Sequence, residues 1–359
     1  MADFTASWLT MAFLAAPLAY YSERRYQGLP ELPDQAIDRP LPSLSIIVPA
    51  RNEAANLRRL LPTLTNLVYP GEIELIVVDD SSTDQTALIA QSFGAQVVHL
   101  DGLPSGWSGK THACHQGALA AKGEWLFFTD ADTFHQPHGA AQAVAYARTN
   151  QLDGLSIFFK QVTSGGLDGL ALSVAFAGLF VSLGSKNSFI NGQYILLSRA
   201  TYNDSGGFSL VTGESMEDLA LGHLLSDSGY RVPLLRSDHV ASVQMYRDNS
   251  SLWQGLMRIG AGSMRWLGVR SIITALFITG VMTPILTLIS TLKQRKNRRL
   301  ALFSWALIVF SFIPWASRFG SAWLALLAPL GALFVQVASI LGLIQRLFGR
   351  GTPWKGRRV

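Results

Sequence analysis

Two kinds of apolar patterning divide this 359-residue chain. Between residues 44 and 129, short apolar runs alternate with segments of helical spacing. Leu44-Ser-Ile-Ile-Val48 reads as a strand ended by Pro49, and 73–78, 97–100 and 125–129 read as three more. Between them, 52–67 places Leu57, Leu60, Leu61 and Leu64 on one helix face, with Pro62 as a kink. Residues 84–93 and 111–122 are the next two predicted helices. Strands this short and apolar, separated by helices, fit a parallel sheet covered on both faces. The predicted class is therefore α/β with a mostly parallel sheet.

The second kind of pattern is long and uncharged: residues 4–22, 271–292, 300–317 and 319–345. Each is near or above the roughly 20 residues that cross a bilayer core as helix. The first lacks a basic segment before it and is followed by Arg24 and Arg25, so it reads as a retained anchor with its C-terminal end cytoplasmic. A cleaved signal peptide is the alternative. Residues 23–42 hold four prolines and read as a linker.

Charge sharpens the division. Charged residues make up 15% of the chain and mean hydropathy is +0.25, against about 25% charged in ordinary soluble domains. Residues 249–359 hold 14 Lys or Arg and no Asp or Glu, whereas 1–248 carry a net of −9. The basic half alternates its cations with long apolar runs, which fits an anionic membrane surface and not nucleic acid. A lone cysteine, Cys114, excludes an internal disulfide.

Candidate chemistry gathers at the strand ends, where ligands collect in sheets of this kind. The first strand ends in Pro49-Ala-Arg-Asn-Glu53, the second in Asp79-Asp-Ser-Ser-Thr-Asp84, the fourth in Asp130-Ala-Asp132. The second group also suits helix capping. Carboxylates two apart, as Asp130 and Asp132 are, point to one side of a strand and repel; a hard divalent cation such as Mg²⁺ or Mn²⁺ relieves this. His112, Cys114 and His115 are too poorly spaced on one helix for zinc.

In this order the motifs P-A-R-N-E, V-V-D-D-S-S-T-D, G-W-S-G-K-x-x-A-C, D-A-D and Glu217-Asp218 resemble glycosyltransferase family 2, the inverting GT-A fold, over roughly residues 43–245. Gly106-Trp-Ser-Gly-Lys110 and the terminal Thr352-Pro-Trp-Lys-Gly-Arg357 look like a membrane subgroup. That subgroup contains carotenoid (diaponeurosporenoate-type) and hopene-associated glycosyltransferases. The resemblance implies that Pro49, Arg51 and Glu53 line a nucleotide pocket and that Asp79 or Asp80 bonds the base. It places Lys110 near the donor diphosphate, Asp130 on ribose or sugar, Asp132 and Asp130 at the metal, and Asp218, with Glu217, at the catalytic base.

Many membrane members carry Q-x-x-R-W after the base. Here Trp253-Gln254 is followed by Arg258, and Arg265-Trp266 lacks a Gln at that offset, so both arginines stay open as the diphosphate contact, Arg258 favoured. The altered motif and the few spans argue against a processive synthase. Trp107, Phe176 and Phe180 are candidate acceptor contacts, and the apolar stretch 165–185 is either a core helix or an acceptor entry on the bilayer.

The expected organisation is 1–22 anchor, 23–42 linker, 43–248 GT-A catalytic domain, 249–299 interfacial or re-entrant segments, 300–345 transmembrane hairpin and 346–359 basic cytoplasmic tail, with transmembrane helices at both ends. Five basic residues in 293–299 put that segment and the tail in the cytoplasm, the turn at 318–321 outside, and a bend at Thr283-Pro284. The expected protein is a multi-pass enzyme of the inner, plasma-type membrane with its catalytic domain cytoplasmic. It moves one sugar from a nucleotide sugar, UDP-hexose, to a hydroxyl or carboxyl of a lipid-soluble acceptor, a carotenoid or other terpenoid. Polyprenyl phosphate and glycerolipid are alternative acceptors. A catalytically dead nucleotide-binding scaffold is the alternative of another class. A transporter is disfavoured because the spans lack polar pathway residues.

Overall fold

A computed structural model of the chain describes residues 4–184, 189–214, 216–292, 298–348, 353–354 and 357–358. In chain order it contains α1 (Phe4–Gln27), β1 (Leu44–Ala50), α2 (Ala54–Thr65), β2 (Ile73–Asp79), α3 (Thr86–Ser92), β3 (Gln96–His99) and α4 (Gly109–Ala120). Then come β4 (Trp125–Thr129), β5 (Thr133–His135), α5 (Gly139–Thr149), β6 (Gly154–Gln161), α6 (Leu167–Ser182), β7 (Tyr194–Ser198), α7 (Arg199–Asp204), α8 (Glu217–Asp227) and β8 (Leu234–Val243). The last helices are α9 (Asn249–Leu267), α10 (Val269–Leu292), α11 (Arg298–Arg318) and α12 (Ala328–Leu347). The chain divides into two compact units: a sheet unit of residues 29–160 and 184–244, and a helical unit of residues 1–28, 161–183 and 245–358.

In the sheet unit the strand order is β3-β2-β1-β4-β7-β6-β8-β5. The β3–β2, β2–β1 and β1–β4 pairs are parallel, and β7 joins β4 antiparallel. Ile46, Ile47, Val48, Val77 and Val78 are fully buried, as strands covered on both faces must be. β1 continues through Pro49 to Ala50. Its pairing with β4 has ended at Ile47–Phe128, so the missing Pro49 N–H falls beyond that neighbour. The leucines of α2 form the expected buried face, and the helix runs through Pro62. Gly117 lets α4 lie flush on the sheet: a Cβ there would stand 2.4 Å from Ile47 Cγ2 and 3.0 Å from Val78 Cγ2. Residues 29–42 are not a free linker. Leu32 is fully buried, its N–H donates to Arg236 O, and Arg236 N donates to Pro30 O.

The helical unit corrects several expectations. Among the described residues three helices are long and apolar enough to cross a membrane, all in the C-terminal part: Val269–Ile289, Arg298–Arg318 and Ala322–Leu347. Transmembrane-grade helices therefore do not stand at both ends. α1 forms, over 24 residues, but Thr, Ser and Tyr dilute its apolar stretch and it is not one of the three. α6 belongs to this unit and not to the sheet unit. α10 runs as one helix through Thr283-Pro284, and the Thr287 hydroxyl donates to Pro284 O.

One partly buried ion pair joins α1 and α11. Arg318 Nη1 and Nη2 each reach a Glu23 carboxylate oxygen at 2.9 Å, a bidentate pair. The guanidinium also lies 3.8 Å from the Tyr26 ring centroid and 4.8 Å from that of Trp315, and Trp315 Nε1 donates to Ser22 Oγ at 2.9 Å. Phe13, before Glu23 on α1, meets Phe303, before Arg318 on α11, at 6.0 Å, so α1 and α11 run in the same direction. The charge pattern places the end of α1 and the turn after α11 on opposite faces of a membrane; the pair requires them on one face. Breaking a fully buried pair by removing one partner costs about 3–5 kcal/mol, an upper bound for this one.

Gln27→Cys and Ser321→Cys, each in a Cys114→Ser background, are expected to react with an impermeant thiol reagent from the same side of the membrane. Labelling from opposite sides would show that Glu23 and Arg318 are not paired.

Candidate active site

The ends of β1 and β2 are laced together by short polar side chains. Arg51 Nη1 donates to Asp80 O at 2.6 Å and lies 3.9 Å from Asp80 Oδ2. Asn52 and Ser81 hold left-handed φ values of 52° and 54°, conformations that cost a non-glycine residue energy. The Asn52 side chain accepts from Thr83 N at 2.8 Å, and Glu53 N donates to Thr86 Oγ1 at 2.8 Å. Asp84, which the capping reading assigns to α3, instead bridges two helix starts: it accepts from Ala54 N at 3.1 Å and Thr86 N at 3.0 Å. Burial works against its charge, but these bonds and the Thr86 hydroxyl hold its carboxyl below the usual range. Asp79 accepts from Ser82 N at 3.2 Å and lies 3.4 Å from His99 Nδ1. Pro49 and Asp79 thus lie near the ends of β1 and β2, with Arg51, Glu53 and Asp80 on the loops that follow.

The second cluster centres on Lys110, in the first turn of α4. Its helix start is fixed: Ser108 caps it, accepting from Thr111 N at 3.3 Å, and Ser108 N donates to Thr212 O at 2.7 Å. The Thr111 hydroxyl also donates to Thr212 O at 2.5 Å, so the loop before Lys110 is clamped to the segment leading to Glu217. Lys110 Nζ lies 2.7 Å from Asp130 Oδ1 and 2.7 Å from Glu217 Oε1. Burial would lower its proton affinity; the two carboxylates outweigh this and hold the ammonium well above its usual range.

Asp218, next to Glu217 in the first turn of α8, accepts from Gly192 N at 3.2 Å and from Leu219 N at 2.8 Å. Burial, reinforced by the Glu217 charge and opposed by Lys110, pushes its carboxyl up to about 6. Gly192 is a residue the motifs do not flag. A Cβ there would stand 3.1 Å from Asp218 Oδ2 and 3.3 Å from Lys110 Nζ, so only glycine leaves both groups room. The Asn191-Gly192 dipeptide ahead of an apolar strand is its one sequence signal. Pro49, Lys110, Asp130, Gly192 and Glu217 line one crevice.

Asp130 and Asp132 occupy the turn between β4 and β5. Among the described residues, no three His, Cys, Asp or Glu side chains gather as a self-sufficient metal site. Two oxygen donors on one turn nevertheless fit a hard divalent cation that takes its other ligands from phosphate and water. His112 and His115 pack on Trp107: the Trp107 and His115 rings stack at 5.3 Å, the His112 ring meets Trp107 edge-on at 5.3 Å, and His115 Nδ1 lies 3.2 Å from the Tyr202 hydroxyl.

The remaining candidates lie in the helical unit. Arg258 and Arg265 are both on α9, the Arg265 side chain outside the described residues. Phe176 stacks on Phe319 at 5.2 Å. Phe180 is fully buried between Tyr26 and Trp315, at 5.7 and 5.5 Å.

Residues 45–194 match the family described as glycosyl transferase family 2. Over 268 residues the chain is 30% identical to 4,4'-diaponeurosporenoate glycosyltransferase of Staphylococcus aureus strain MRSA252, covering 71% of this chain and 70% of that one. The same enzyme of strain USA300 is 29% identical over the same length. A solved mannosyltransferase from Pyrobaculum calidifontis, in complex with GDP-Man and Mn²⁺, is similar in fold, with a TM-score of 0.64 at 18% identity over 96% of this chain and 98% of that one. The mixed, mostly parallel sheet is thus of the GT-A kind, and the chain belongs to glycosyltransferase family 2.

Proposed function

We propose that this glycosyltransferase moves one hexose from a UDP-sugar to a hydroxyl or carboxyl group of a lipid-soluble acceptor, a carotenoid or related terpenoid, at a membrane, with inversion at the anomeric carbon. The observation that carries the reading is the Lys110 ammonium held between Asp130 and Glu217 beside a carboxyl, Asp218, poised near neutrality. The similarity to a carotenoid glycosyltransferase and the three apolar helices support the acceptor class and the membrane setting.

In this reaction the acceptor oxygen attacks the anomeric carbon from the face opposite the diphosphate. The new C–O bond forms as the sugar–phosphate bond breaks. Asp218 takes the proton of an acceptor hydroxyl. Lys110 spends two of its three N–H bonds on Asp130 and Glu217 and offers the third to a phosphate oxygen. Asp79 or Asp80 bonds the base, in a pocket lined by Pro49, Arg51 and Glu53. Trp107 is the proposed acceptor contact; Phe180, fully buried between Tyr26 and Trp315, is instead a packing residue. Asp130 and Asp132 would hold Mg²⁺ or Mn²⁺, which supplies charge neutralisation for the leaving diphosphate when bound.

Mass spectrometry of lipids from cells with and without the gene is expected to show one terpenoid species heavier by a single hexose when the gene is present. A change confined to glycerolipids or polyprenyl phosphates would replace the acceptor class.

With an alcohol acceptor, Asp218→Asn is expected to lower kcat about a hundredfold or more and leave UDP affinity nearly unchanged. Because the base works deprotonated, wild-type kcat/KM should fall as pH drops through about 6 and level off above it. A carboxylic acid acceptor is already ionised near neutral pH, so the loss in Asp218→Asn should shrink there. Unchanged turnover with the alcohol would remove Asp218 as the base.

Asp132→Ala is expected to abolish the part of UDP affinity that EDTA removes from the wild type, read by calorimetry. Wild-type affinity identical with and without EDTA would take the cation out of the reaction.

A further inference from the structure

Three buried polar groups beside the site are not used by the reaction above. Thr129 ends β4, Thr133 opens β5 and His135 closes it, with relative exposures of 1%, 0% and 6%. The Thr129 hydroxyl donates to Gln193 O at 3.1 Å, and the Thr133 hydroxyl donates to Asp130 O at 2.8 Å. The two hydroxyl oxygens are 2.9 Å apart, and His135 Nε2 lies 2.9 Å from one and 3.0 Å from the other.

A proton count relates the ring to the two carbonyls. Each hydroxyl has one proton, and a carbonyl oxygen only accepts. With both hydroxyl protons committed to Gln193 O and Asp130 O, neither is left for the ring. In that arrangement Nε2 carries the hydrogen and donates to the hydroxyl oxygens. Burial keeps the imidazole neutral, pushing its pKa down to about 3, so the ring has one N–H throughout the working pH range.

The two carbonyls belong to different parts of the site. Gln193 follows Gly192, whose N–H holds Asp218. Asp130 holds Lys110 with its side chain while its carbonyl is held by Thr133. We propose that Thr129, Thr133 and the Nε2–H form of His135 are positioning residues that lock the turn aiming Asp218 to the turn aiming Asp130 and Asp132. This rests on the glycosyltransferase reading above. A cluster serving stability alone would lower melting temperature without separating binding from turnover. A positioning cluster separates them, because each hydroxyl serves one side.

The test uses the full-length protein, with calorimetric affinity for UDP in the presence of Mn²⁺ and kcat at saturating donor. Thr133→Val is expected to weaken UDP binding about tenfold, the scale of one lost buried hydrogen bond, and to change kcat by less. Thr129→Val is expected to leave UDP affinity within about twofold and to lower kcat about tenfold or more. Thr133→Ser and Thr129→Ser, which keep the hydroxyls, should restore both values. If a valine variant does not fold, His135→Gln, which keeps an N–H donor, should retain turnover that His135→Leu loses. Valine variants that melt lower yet leave both affinity and kcat unchanged, or that shift both equally without rescue by serine, overturn the proposal, as does equal activity of His135→Gln and His135→Leu. Wild-type protein that binds no UDP and releases no nucleoside diphosphate from nucleotide sugars overturns the glycosyltransferase reading, and the proposal with it.

Discussion

Two carboxylates reach the Lys110 ammonium from separate elements, Asp130 from the end of β4 and Glu217 from the first turn of α8, each at 2.7 Å. Asp218 follows Glu217, so without this cation three carboxylates would face one another with nothing between them, and part of the cluster would have to protonate or move apart. The surrounding structure is what makes the cation arrive. Gly117 lets α4 sit against Ile47 and Val78, the Ser108 cap starts the helix at the right residue, and Thr212 O ties that start to the segment before α8. A shift of α4 by one methyl group would move Lys110 out of reach of one partner.

The sheet and the acids at its edge were legible in the sequence because local rules decide both. A parallel strand buried on both faces must be apolar throughout, so β1, β2 and β4 announce themselves, and the polar residues after them have to lie at the carboxyl edge. Gly192 was not legible: its role depends on how close Asp218 and Lys110 come to its Cα, a distance between residues far apart in the chain. Asp84 was legible as a capping residue but not as a bridge from α2 to α3, because both are satisfied by the same side-chain acceptor. His135 gives no sequence signal at all; a lone histidine near a strand end is most often a packed one, and only its neighbours' proton inventory distinguishes it.

In the helical unit, charge counting and packing act as separate constraints. Positive-inside statistics treat each basic run as free to choose a face. Glu23, Tyr26 and Trp315 remove that freedom from Arg318, whose guanidinium is satisfied by a bidentate carboxylate and two aromatic faces. Arg318 is therefore a packing residue of the unit and says nothing about which compartment the turn faces. The same pair explains why α1 is ordered against α11 although its own apolar stretch is diluted: Ser22 and Glu23 give it specific partners where hydrophobicity alone discriminates poorly between helices.

Charge also bears on what the site must accept under the proposed reaction. Asp130, Asp132, Glu217 and Asp218 bring four carboxylates to the end of β4 and the start of α8, where Lys110 pairs with two of them; Arg51 is turned to Asp80. A nucleoside diphosphate sugar adds two more negative charges. In a partly desolvated crevice such an excess repels the donor unless something offsets it. The third proton of Lys110 meets one phosphate oxygen, and Asp218 can shed its own charge near neutrality, which leaves the Asp130–Asp132 turn as the place where the imbalance is greatest. Those are also the two oxygen donors suited to a hard divalent cation, which prefers phosphate as its other ligand. Donor and cation are thus best taken up together: either one alone would leave the turn or the diphosphate uncompensated.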